Sequence, residues 1–351
     1  MYPALAVVDA LGERADVLWI GSEGGMAQRL VSRQGIRFAA IPAAGLHGVG
    51  WRALPRNTVQ LIRGVGAARR LIRSFDPEAM LFTGGFVGVP AALAGWRRPS
   101  VTFVPDIEPA LAQRLIGRSV DRICVTTDRS VDFYRQTSKV EVTGYPSRFA
   151  RQRPERRDAR KALGLSDAIR VLLVMGGSKG ARSINRATWD ALGELLPKMQ
   201  VLHLTGDRDW PQVDSVVQSL PAEIADRYRP FPYLHEEMGS ALAAADLVVS
   251  RAGASTLGEF PLFGLPSILV PYPHAWRYQQ VNSEYLAGRG AAVVLADRDL
   301  SSDLTPMVIR LMESDEDRLA MGQAAGSLAR PSAAGDIAAS LVEVAKGKVA
   351  A

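Results

Sequence analysis

Three turns in the second half of the chain carry the residue types that bind phosphates and sugar hydroxyls. In the first of them, Gly176, Gly177, Ser178 and Gly180 follow the apolar run 169–175 and precede a helical pattern. Glycines let the backbone approach a phosphate closely, and the N–H groups at a helix start can bind its oxygens. The spacing is neither that of a Walker A loop nor that of the GxGxxG dinucleotide fingerprint. By itself, this turn fits a phosphate site or an ordinary tight connection.

The second and third turns add a carboxylate and a group of amides. Gly253, Ser255 and Thr256 follow the apolar run 246–250, and Glu259 stands about one helical turn later. That carboxylate could accept two ribose hydroxyls, or it could complement the positive end of a helix. The third turn, 270–274, leads into four polar side chains, which are Arg277, Gln279, Gln280 and Asn282. Together the turns predict a nucleoside-diphosphate site, because parallel α/β sheets bind ligands where their strands end.

The first half of the chain carries a glycine turn and a cationic, apolar stretch. Gly84 and Gly85 follow an apolar run that ends at Phe82. In the stretch 51–73 bulky apolar residues are interleaved with arginines, and its candidate lipid-contacting residues are Trp51, Arg52, Leu54, Arg56, Leu61, Ile62 and Arg63. Apolar side chains flanked by cations fit a surface that lies on anionic lipid. The same composition fits an ordinary helix with a solvated face.

Composition and charge restrict the class of protein. The chain has 351 residues, of which 47% are hydrophobic and 22% charged, as is typical of a globular protein with two domains. Residues 1–160 hold 24 Lys and Arg against 14 Asp and Glu, whereas the remainder holds 18 against 22. A basic first half predicts an anionic partner, such as nucleic acid, phospholipid or a phosphorylated substrate, unless the arginines are simply solvated.

Several kinds of chemistry lack support in the sequence. The one cysteine, Cys124, excludes a disulfide scaffold and predicts a buried structural thiol. The four histidines show no metal-ligand spacing, and the acidic triplets Asp207–Asp209 and Asp297–Asp299 are short, common patterns, so we expect no metal. No nucleic-acid motif, signal peptide or apolar run of about 18 residues occurs, which predicts a cytosolic protein that binds no nucleic acid.

Short apolar runs alternate with helical patterns along the whole chain, which predicts the α/β class with parallel strands. The runs 17–20, 79–82, 100–104 and 122–126 are strands of a first domain, and 169–175, 200–205, 246–250 and 267–270 are strands of a second. We therefore expect two doubly wound, Rossmann-like domains that face each other across a cleft. The expected boundaries are 1–147 for the first domain, 148–168 for an arginine-rich linker and 169–351 for the second domain. The terminal helix, 333–349, could pack back on the first domain.

The order of these motifs resembles that of the MurG glycosyltransferases of family 28. The segments that carry the resemblance are Tyr2–Ala6, Gly84–Gly88, Gly144–Arg148, Gly176–Ala181, Ser250–Thr256 with Glu259, and Pro271–His274 with Gln279 and Asn282. The resemblance extends along essentially the whole chain, and the set in the second half is specific to this family. It implies the GT-B fold and the transfer of N-acetylglucosamine from UDP-N-acetylglucosamine to lipid I. Lipid I is undecaprenyl-pyrophosphoryl-MurNAc-pentapeptide, and the product is lipid II of peptidoglycan synthesis.

The same resemblance implies an inverting reaction without cofactor or metal, on the cytoplasmic side of the cell membrane, with the stretch 51–73 on its anionic surface. The donor-site residues that it implies are Arg148, Gly177, Ser178, Gly180, Leu234, Gly253, Ser255, Thr256, Glu259 and Gln279. Arg148 would lie near the phosphates and Leu234 would read the uracil through its backbone. Glu259 would take the ribose, and Gln279 the sugar hydroxyls. Gly84, Gly85 and Asp106 would lie on the acceptor side.

Two departures from the family pattern affect the catalytic residues. The family's first strand and GGTGGH loop, whose histidine is a candidate base, precede the position of Tyr2, so we expect the natural protein to extend upstream of Met1. The family's HEQN segment aligns with Phe103–Asp106, which leaves Asp106 as a candidate base and the acceptor open. The alternatives are a GT-B transferase acting on another lipid, such as diacylglycerol, a UDP-sugar epimerase, and a non-catalytic UDP-sugar-binding module.

Overall fold

Parallel strands and the helices between them organise the chain into two units in the computed structural model. The structure describes residues 1–22, 26–43, 54–177, 180–274 and 277–349. The first unit comprises Met1–Arg148 together with Pro331–Ala351, and the second comprises Phe149–Arg330. The second unit thus begins inside the stretch that the sequence suggests as a linker, and the C-terminal segment belongs to the first unit.

In the first unit, helices and strands alternate up to residue 142. The described helices are α1 (Tyr2–Leu11), α2 (Met26–Arg33), α3 (Leu54–Phe75), α4 (Gly88–Ala94), α5 (Leu111–Gly117) and, at the end of the chain, α15 (Ala333–Val349). The described strands are β1 (Leu18–Ser22), β2 (Arg37–Ile41), β3 (Met80–Phe82), β4 (Ser100–Val104), β5 (Arg122–Val125) and β6 (Val140–Val142). β1 pairs in parallel with β2, and β3, β4, β5 and β6 form a second parallel sheet in that order.

β4 and β5 lie at the centre of this unit's core. Phe103, Val104 and Val125 are fully buried, as expected for central parallel strands that are covered by other elements. α4 and α5 contribute Ala91 and Ile116 to the core. α15 packs on β4 and β5 and also on α1, so segments from both ends of the chain stabilise this unit.

The second unit repeats the pattern with one longer sheet. Its described helices are α6 (Arg156–Ala162), α7 (Arg182–Leu195), α8 (Val213–Ser219), α9 (Ala222–Ala225), α10 (Met238–Ala244), α11 (Glu259–Phe263), α12 (Tyr278–Ala287), α13 (Leu300–Glu313) and α14 (Asp315–Ser327). Its described strands are β7 (Val171–Met175), β8 (Gln200–Leu204), β9 (Tyr228–Phe231), β10 (Leu247–Ser250), β11 (Ser267–Leu269) and β12 (Ala292–Val294). Neighbouring strands pair in parallel, in the order β12-β11-β10-β7-β8-β9.

β7 is a central strand of this sheet and its most continuous apolar run. Leu172 and Val174 pack with Ile184 and Leu192 of α7 in one hydrophobic cluster. Leu173, which alternates with them, is fully buried as well. Because side chains of a strand alternate between the two faces of the sheet, burial of consecutive residues means that both faces are covered. The apolar run 169–175 therefore marks a central strand.

The stretch 148–168 contains a helix where the sequence suggests a linker. α6 packs on α10, and the buried Arg160 donates from Nη2 to Asp246 at 2.7 Å and from Nε to the carbonyl oxygen of Ala244 at 3.1 Å. Asp246 also accepts a hydrogen bond of 2.7 Å from the backbone N–H of Val171. Two arginines of this stretch, Arg156 and Arg160, are thus held by a carboxylate next to β10, which helps to explain why a polar, arginine-rich segment folds onto the sheet.

Candidate functional site

The strand order of the second unit reverses between β7 and β10. From β7 the chain continues through β8 to β9 on one side, whereas β10, β11 and β12 follow one another on the other side. Ligands of open α/β sheets bind at such a reversal, beyond the carboxyl ends of the strands. The glycine turns at 176–180 and 253–256 follow these two strands directly. The topology therefore brings both turns to the same edge of the sheet.

The first turn requires glycine because of its backbone conformation and its close packing. Gly177 and Gly180 have φ angles of +83° and +74°, which other L residues rarely adopt. A Cβ atom on Gly180 would lie 2.2 Å from the carbonyl oxygen of Thr205. The N–H of Gly180 donates to the carbonyl oxygen of Gly177 at 2.9 Å and closes the turn. Ser178, a phosphate contact in the sequence-based prediction, lies outside the described residues.

α7 begins directly behind this turn, with its amino end at the same edge of the sheet. Its N-cap residue is Ala181, which has no side-chain oxygen to accept from the first N–H groups, and its first turn contains no acidic residue. A phosphate can take the place of the missing cap, because the amino end of a helix combines N–H donors with partial positive charge. The turn and the helix together can hold a diphosphate.

The second turn holds its own shape and delivers a carboxylate. Thr256 is buried, and its Oγ1 donates to the carbonyl oxygen of Gly253 at 2.7 Å, so this hydroxyl stabilises the turn. Ser255 is half-buried beside it. Glu259 is the first residue of α11 and is also half-buried. A carboxylate at a helix start can bind hydroxyls or complement the helix end, so the ribose contact of Glu259 stays a prediction.

The third turn is tied to α12 by amide side chains. Oε1 of Gln279 accepts a hydrogen bond of 2.9 Å from the backbone N–H of Tyr272, which leaves its Nε2 group as a donor for a sugar hydroxyl. The buried Asn282 donates from Nδ2 to the carbonyl oxygen of Ala252 at 3.1 Å. α12 therefore fixes the loops after β10 and β11 with respect to each other.

Leu234 lies on the loop that leaves β9. Its side chain is buried, so a ligand contact would come from its backbone. The same loop runs beside the end of β8. The N–H of Thr205 donates to the carbonyl oxygen of Phe231 at 3.0 Å, and the N–H of Gly206 donates to the carbonyl oxygen of Pro232 at 2.9 Å. The loop thus lies next to the segment on which Gly180 packs, and the uracil contact of Leu234 stays a prediction.

A buried chain of hydrogen bonds lies behind the first turn, and no sequence motif indicates it. The indole N–H of Trp189 donates to the hydroxyl of Tyr228 at 2.9 Å. That hydroxyl lies 3.0 Å from Nδ1 of His203, whose Nε2 lies 3.0 Å from Oδ1 of Asn185. Because an indole only donates, the directions are consistent when Tyr228 donates to Nδ1 and Nε2–H donates to Asn185. Burial lowers the pKa of His203 to about 3, so its ring is neutral.

The chain ends on a buried carboxylate that joins α7 to the end of β8. Nδ2 of Asn185 donates to Thr205 O at 2.8 Å and to Oδ2 of Asp209 at 2.9 Å. Oδ1 of Asp209 accepts from Nε of Arg182 at 3.1 Å. Asp209 belongs to an acidic triplet whose spacing suggests only a metal ligand from the sequence. A polar Asn185 between apolar helix positions is the signal that points to this cluster.

Acceptor-side candidates lie at the carboxyl edge of the first unit's larger sheet. Gly84 and Gly85 follow β3 with φ angles of +89° and +83°, and Asp106 follows β4, which pairs with β3. A Cβ atom on Gly84 would lie 3.1 Å from Nε2 of Gln113. Phe103 of the segment aligned with HEQN is fully buried, so it offers an acceptor no contact.

Arg148, the phosphate contact in the sequence-based prediction, is the last residue of the N-terminal segment of the first unit. Its guanidinium carbon lies 4.6 Å from the centroid of the Tyr2 ring. This cation–π contact orients the side chain within its own unit. The proposed contact of Arg148 with a ligand stays a prediction.

The predicted lipid contacts fall partly on α3. Trp51 and Arg52 lie outside the described residues, and Leu54 begins the helix. Arg56, Ile62 and Arg63 are exposed, whereas Leu61 is half-buried. An exposed isoleucine between arginines is a feature of surfaces that contact lipid headgroups, and it is not explained by packing within the unit.

A second exposed, bulky apolar side chain, Trp96, lies beside the later part of α3. α3 packs on α4, and a Cβ atom on Gly64 would lie 3.3 Å from Pro90 of α4. Trp96, which follows α4, is 60% exposed and Ile62 is 66% exposed. Trp96, Arg97 and Arg69 share one groove. In the part of the chain that the structure describes, no helix has both the length and the apolarity needed to cross a bilayer.

A large cavity of the second unit does not coincide with the candidate site. A cavity of about 950 Å³ in the second unit is lined by Asp246 and Pro266, which precede β10 and β11 and so lie at the opposite edge of the sheet. The described donor-site residues are not among those that line it. The carboxyl ends of the strands, rather than this cavity, identify where a nucleotide would bind.

Comparisons with solved structures identify the fold. The crystal structure of Acinetobacter baumannii MurG matches with a TM-score of 0.77 at 23% identity and covers 97% of this chain and 95% of that chain. The structure of UDP-GlcNAc 2-epimerase from Neisseria meningitidis, bound to UDP-GlcNAc, matches with a TM-score of 0.70 at 12% identity, over 97% and 96% of the two chains. These likenesses confirm the expected α/β architecture of two Rossmann-like domains, the GT-B fold.

Comparisons of sequence identify the family. The glycosyltransferase family 28 N-terminal domain matches residues 1–125, and the family's C-terminal domain matches residues 171–337. A protein from Roseiflexus sp. (strain RS-1) is 39% identical over 96% of this chain and 91% of its own length. Its name is UDP-N-acetylglucosamine--N-acetylmuramyl-(pentapeptide) pyrophosphoryl-undecaprenol N-acetylglucosamine transferase. The chain therefore belongs to glycosyltransferase family 28, and it is a glycosyltransferase with the GT-B fold.

Proposed function

We propose that the chain transfers N-acetylglucosamine from UDP-N-acetylglucosamine to lipid I, with inversion at the anomeric carbon, and so forms lipid II. The name of the Roseiflexus relative describes this transfer. The observation that carries the proposal is the meeting of two glycine turns and the amino end of α7 at the strand-order reversal of the second unit. This arrangement can hold a diphosphate, with Glu259 at the start of α11 for the ribose and Gln279 near the start of α12 for the sugar.

In this reaction a hydroxyl oxygen of the acceptor attacks the anomeric carbon, the bond from that carbon to the diphosphate breaks, and UDP leaves with the bonding electrons. Negative charge grows on the diphosphate as the bond breaks. N–H groups at the amino end of α7 that are already oriented stabilise this charge without further reorganisation, and the cationic contact expected of Arg148 from the sequence stays a prediction. Positioning of the two substrates supplies much of the remaining rate enhancement.

A base has to take the proton of the attacking hydroxyl. Asp106 is our candidate, because it follows β4 at the carboxyl edge of the sheet in the first unit, beside the strand that ends before Gly84. A carboxylate there can accept a proton from a hydroxyl group of an acceptor bound at Gly84 and Gly85. The variant Asp106→Asn would no longer accept the proton of the attacking hydroxyl, although its side chain has nearly the same shape.

The transfer proceeds without a metal ion in our proposal. The structure describes no group of three His, Cys, Asp or Glu side chains that could hold one among residues 1–22, 26–43, 54–177, 180–274 and 277–349. Two carboxylates of the acidic triplets have other partners, because Asp209 pairs with Arg182 and Asp297 pairs with Arg251. In this proposal the amino end of α7 and the expected contact of Arg148 supply the positive charge that a metal ion would otherwise supply at the diphosphate.

We place the enzyme at the cytoplasmic face of the cell membrane as a peripheral protein. The exposed Ile62 and Trp96, with the neighbouring arginines of α3 and of residues 97–98, form the contact surface of this proposal. Apolar side chains enter the headgroup region while arginines contact anionic lipid. A lipid-linked acceptor lies in that same membrane, so binding of the enzyme to the membrane would raise the local concentration of the acceptor around the enzyme.

A second acceptor class has one observation in its favour. Phe103 and Val104 stand where the family has polar residues, and both are fully buried in β4. Two positions that would contact the acceptor therefore offer no polar group to it. Diacylglycerol or another lipid alcohol is the alternative acceptor, with the same UDP-sugar donor.

The test is a transfer assay with radiolabelled UDP-N-acetylglucosamine and either lipid I or diacylglycerol, each run with and without EDTA. We expect label to move to lipid I, with a rate that EDTA leaves unchanged. Glu259→Ala should raise the KM for the donor by about tenfold or more, since hydrogen bonds to a charged group contribute about 1.5–3 kcal/mol. Glu284→Ala, which removes an exposed carboxylate of α12, is the matched control.

The assay separates the candidates. Transfer to diacylglycerol alone would support the second acceptor class and contradict lipid I as substrate. Loss of transfer in EDTA that is restored by a divalent cation would contradict the metal-free reaction. Folded protein that transfers label to neither lipid would contradict both acceptors.

A further inference from the structure

Arg251 is a buried arginine at the carboxyl edge of the second unit's sheet, and the proposed reaction assigns it no role. Its side chain is 9% exposed. Nη1 donates to Oδ1 of Asp297 at 2.5 Å and to the carbonyl oxygen of Val270 at 3.2 Å, and Nη2 donates to Oγ of Ser183 at 2.7 Å. Ser183 in turn donates to Oδ1 of Asp297 at 2.7 Å. The three side chains therefore form a closed triangle of hydrogen bonds.

The triangle joins the segments that follow four strands. Ser183 lies in the first turn of α7, which follows β7 and its glycine turn, and Arg251 follows β10. Val270 follows β11, and Asp297 lies beyond β12. A planar guanidinium can serve acceptors on several sides at once, whereas a lysine ammonium is a single point charge on a flexible stem. One side chain thus fixes the mutual positions of these loops.

The contacts continue from Arg251 to the residue expected to hold the sugar. The guanidinium carbon lies 5.2 Å from the centroid of the Tyr272 ring. The backbone N–H of Tyr272 donates to Oε1 of Gln279 at 2.9 Å. One continuous set of contacts therefore runs from the first turn of α7, which would hold the diphosphate, to Gln279.

We propose that Arg251, Asp297 and Ser183 are positioning residues that set the start of α7 relative to Gln279, and with it the diphosphate relative to the sugar. This inference rests on the proposed donor site. A buried guanidinium requires a compensating charge, which Asp297 supplies. The second acidic triplet of the sequence thus contributes a structural anion to the donor site.

Electrostatics alone gives the opposite expectation. A carboxylate near the amino end of a helix opposes the binding of an anion there, so its removal would strengthen the binding of UDP. If the carboxylate holds the loops in position, its removal weakens the binding of UDP. Asp297→Asn and Asp297→Ala remove the same charge, but the amide keeps an oxygen that can accept from Arg251 and Ser183. A comparison of the two variants therefore separates the effect of loop position on UDP binding from the effect of the charge.

The experiment is calorimetric titration of the full chain with UDP, and competition with uridine, at a temperature where thermal unfolding shows each variant to be folded. Asp297→Ala should weaken the binding of UDP by about tenfold, and Asp297→Asn by clearly less. Ser183→Ala, which leaves the ion pair intact, should weaken it by about threefold. Arg251→Lys should resemble Asp297→Ala. Uridine should lose less affinity than UDP, since no hydrogen bond among the described residues joins the triangle to the loop of Leu234, the expected uracil contact.

Asp299→Asn is the matched control, because Asp299 belongs to the same acidic triplet and pairs with the neighbouring Arg298. It should bind UDP as the parent does. The proposal is overturned if folded Asp297→Ala and Ser183→Ala bind UDP as tightly as the parent, or if UDP and uridine weaken equally. It is also overturned if both Asp297 variants bind UDP more tightly. A parent chain that binds no UDP would remove the proposed donor site itself, which is a different result from any of these.

Discussion

At the scale of single residues, buried polar side chains fix the position of the candidate donor site. The chain from Trp189 through Tyr228, His203 and Asn185 ends on Asp209 and passes from the core to the start of α7. Each group has a partner of the required kind, and a satisfied buried network favours one arrangement of its elements. The neutral state of His203 is part of this arrangement.

His203 should make the stability of the protein depend on pH. Burial lowers its pKa in the folded state to about 3, below the ordinary value of 6.5, so the unfolded chain binds an extra proton between these values. The free energy of unfolding therefore falls as the pH drops below 6.5, by about 1.5–2 kcal/mol at pH 5. Urea unfolding at pH 7, 6 and 5 measures this change.

The variant His203→Gln lacks the titrating group, so its unfolding free energy should fall less steeply between pH 7 and pH 5, although it is lower throughout. The exposed His235 provides the matched control His235→Gln, which should retain the parent's pH dependence. Equal slopes for the parent and His203→Gln would contradict the assignment of a buried neutral ring.

The sequence predicts the turns more readily than it predicts the buried side chains that hold the turns in place. Glycines and Glu259 are visible because their residue types are unusual next to apolar runs. Arg251, Ser183 and Asp297 are not visible as a group, because they are distant in sequence and meet only when the sheet places the ends of their strands together. Cys124 is predictable from its apolar neighbours alone: it is buried on β5, where desolvation raises the pKa of its thiol to about 12.

At the scale of elements, the connection from β7 to α7 carries most of the proposed chemistry. Gly180→Ala should destabilise the chain by about 1–3 kcal/mol, because it combines an unfavourable φ with a Cβ atom pressed against Thr205. It should also weaken UDP binding, since relief of the contact moves the turn away from β8. Thermal unfolding and titration with UDP measure the two effects.

The same helix offers a control. A Cβ atom on Gly193 of α7 would meet no atom within 4 Å, so Gly193→Ala should stabilise the chain by about 0.5–1 kcal/mol and leave UDP binding unchanged. If Gly180→Ala proved as stable as the parent and bound UDP equally well, the packed turn would not be the phosphate site.

α3 and the segment after α4 lead to a prediction about membranes. The double change Ile62→Ser and Trp96→Ser should weaken binding to vesicles that contain phosphatidylglycerol by about tenfold or more, because each bulky side chain gains about 1.5–3 kcal/mol on burial. Leu319→Ser is the control, since Leu319 is 65% exposed on α14 of the other unit. Vesicle sedimentation measures the binding.

UDP binding should be unaffected by the double change, because both residues lie in the first unit. Added salt should weaken the binding of parent and variant alike, since the arginines contribute through screened charge. Equal sedimentation of the parent and the double variant would show that this surface does not contact lipid.

The sequence identifies central strands better than edge strands. β4, β7, β8 and β10 appear as apolar runs because neighbouring strands and helices cover them. β6, β9 and β12 lie at the edges of their sheets and are not singled out by their patterns. β9, for example, has the sequence Tyr-Arg-Pro-Phe. Proline has no backbone N–H, and it is tolerated in an edge strand because one side of such a strand pairs with no other strand.

At the scale of the whole molecule, the fold alone does not determine the reaction. A MurG structure and a UDP-GlcNAc 2-epimerase structure both match along nearly the entire chain. The family assignment comes from sequence, through both domain matches and the relative that is 39% identical. Because GT-B domains of different enzymes share strand ends and helix starts, only the product of the reaction distinguishes a transferase from an epimerase.

The most direct test of the proposed function is to follow UDP release and the sugar product in one sample by NMR, with purified protein, UDP-N-acetylglucosamine and lipid I. We expect one β-linked N-acetylglucosamine on the acceptor for each UDP released, and no reaction when lipid I is left out. Release of UDP without a β-linked product, or formation of a 2-epimer from the donor alone, would contradict it.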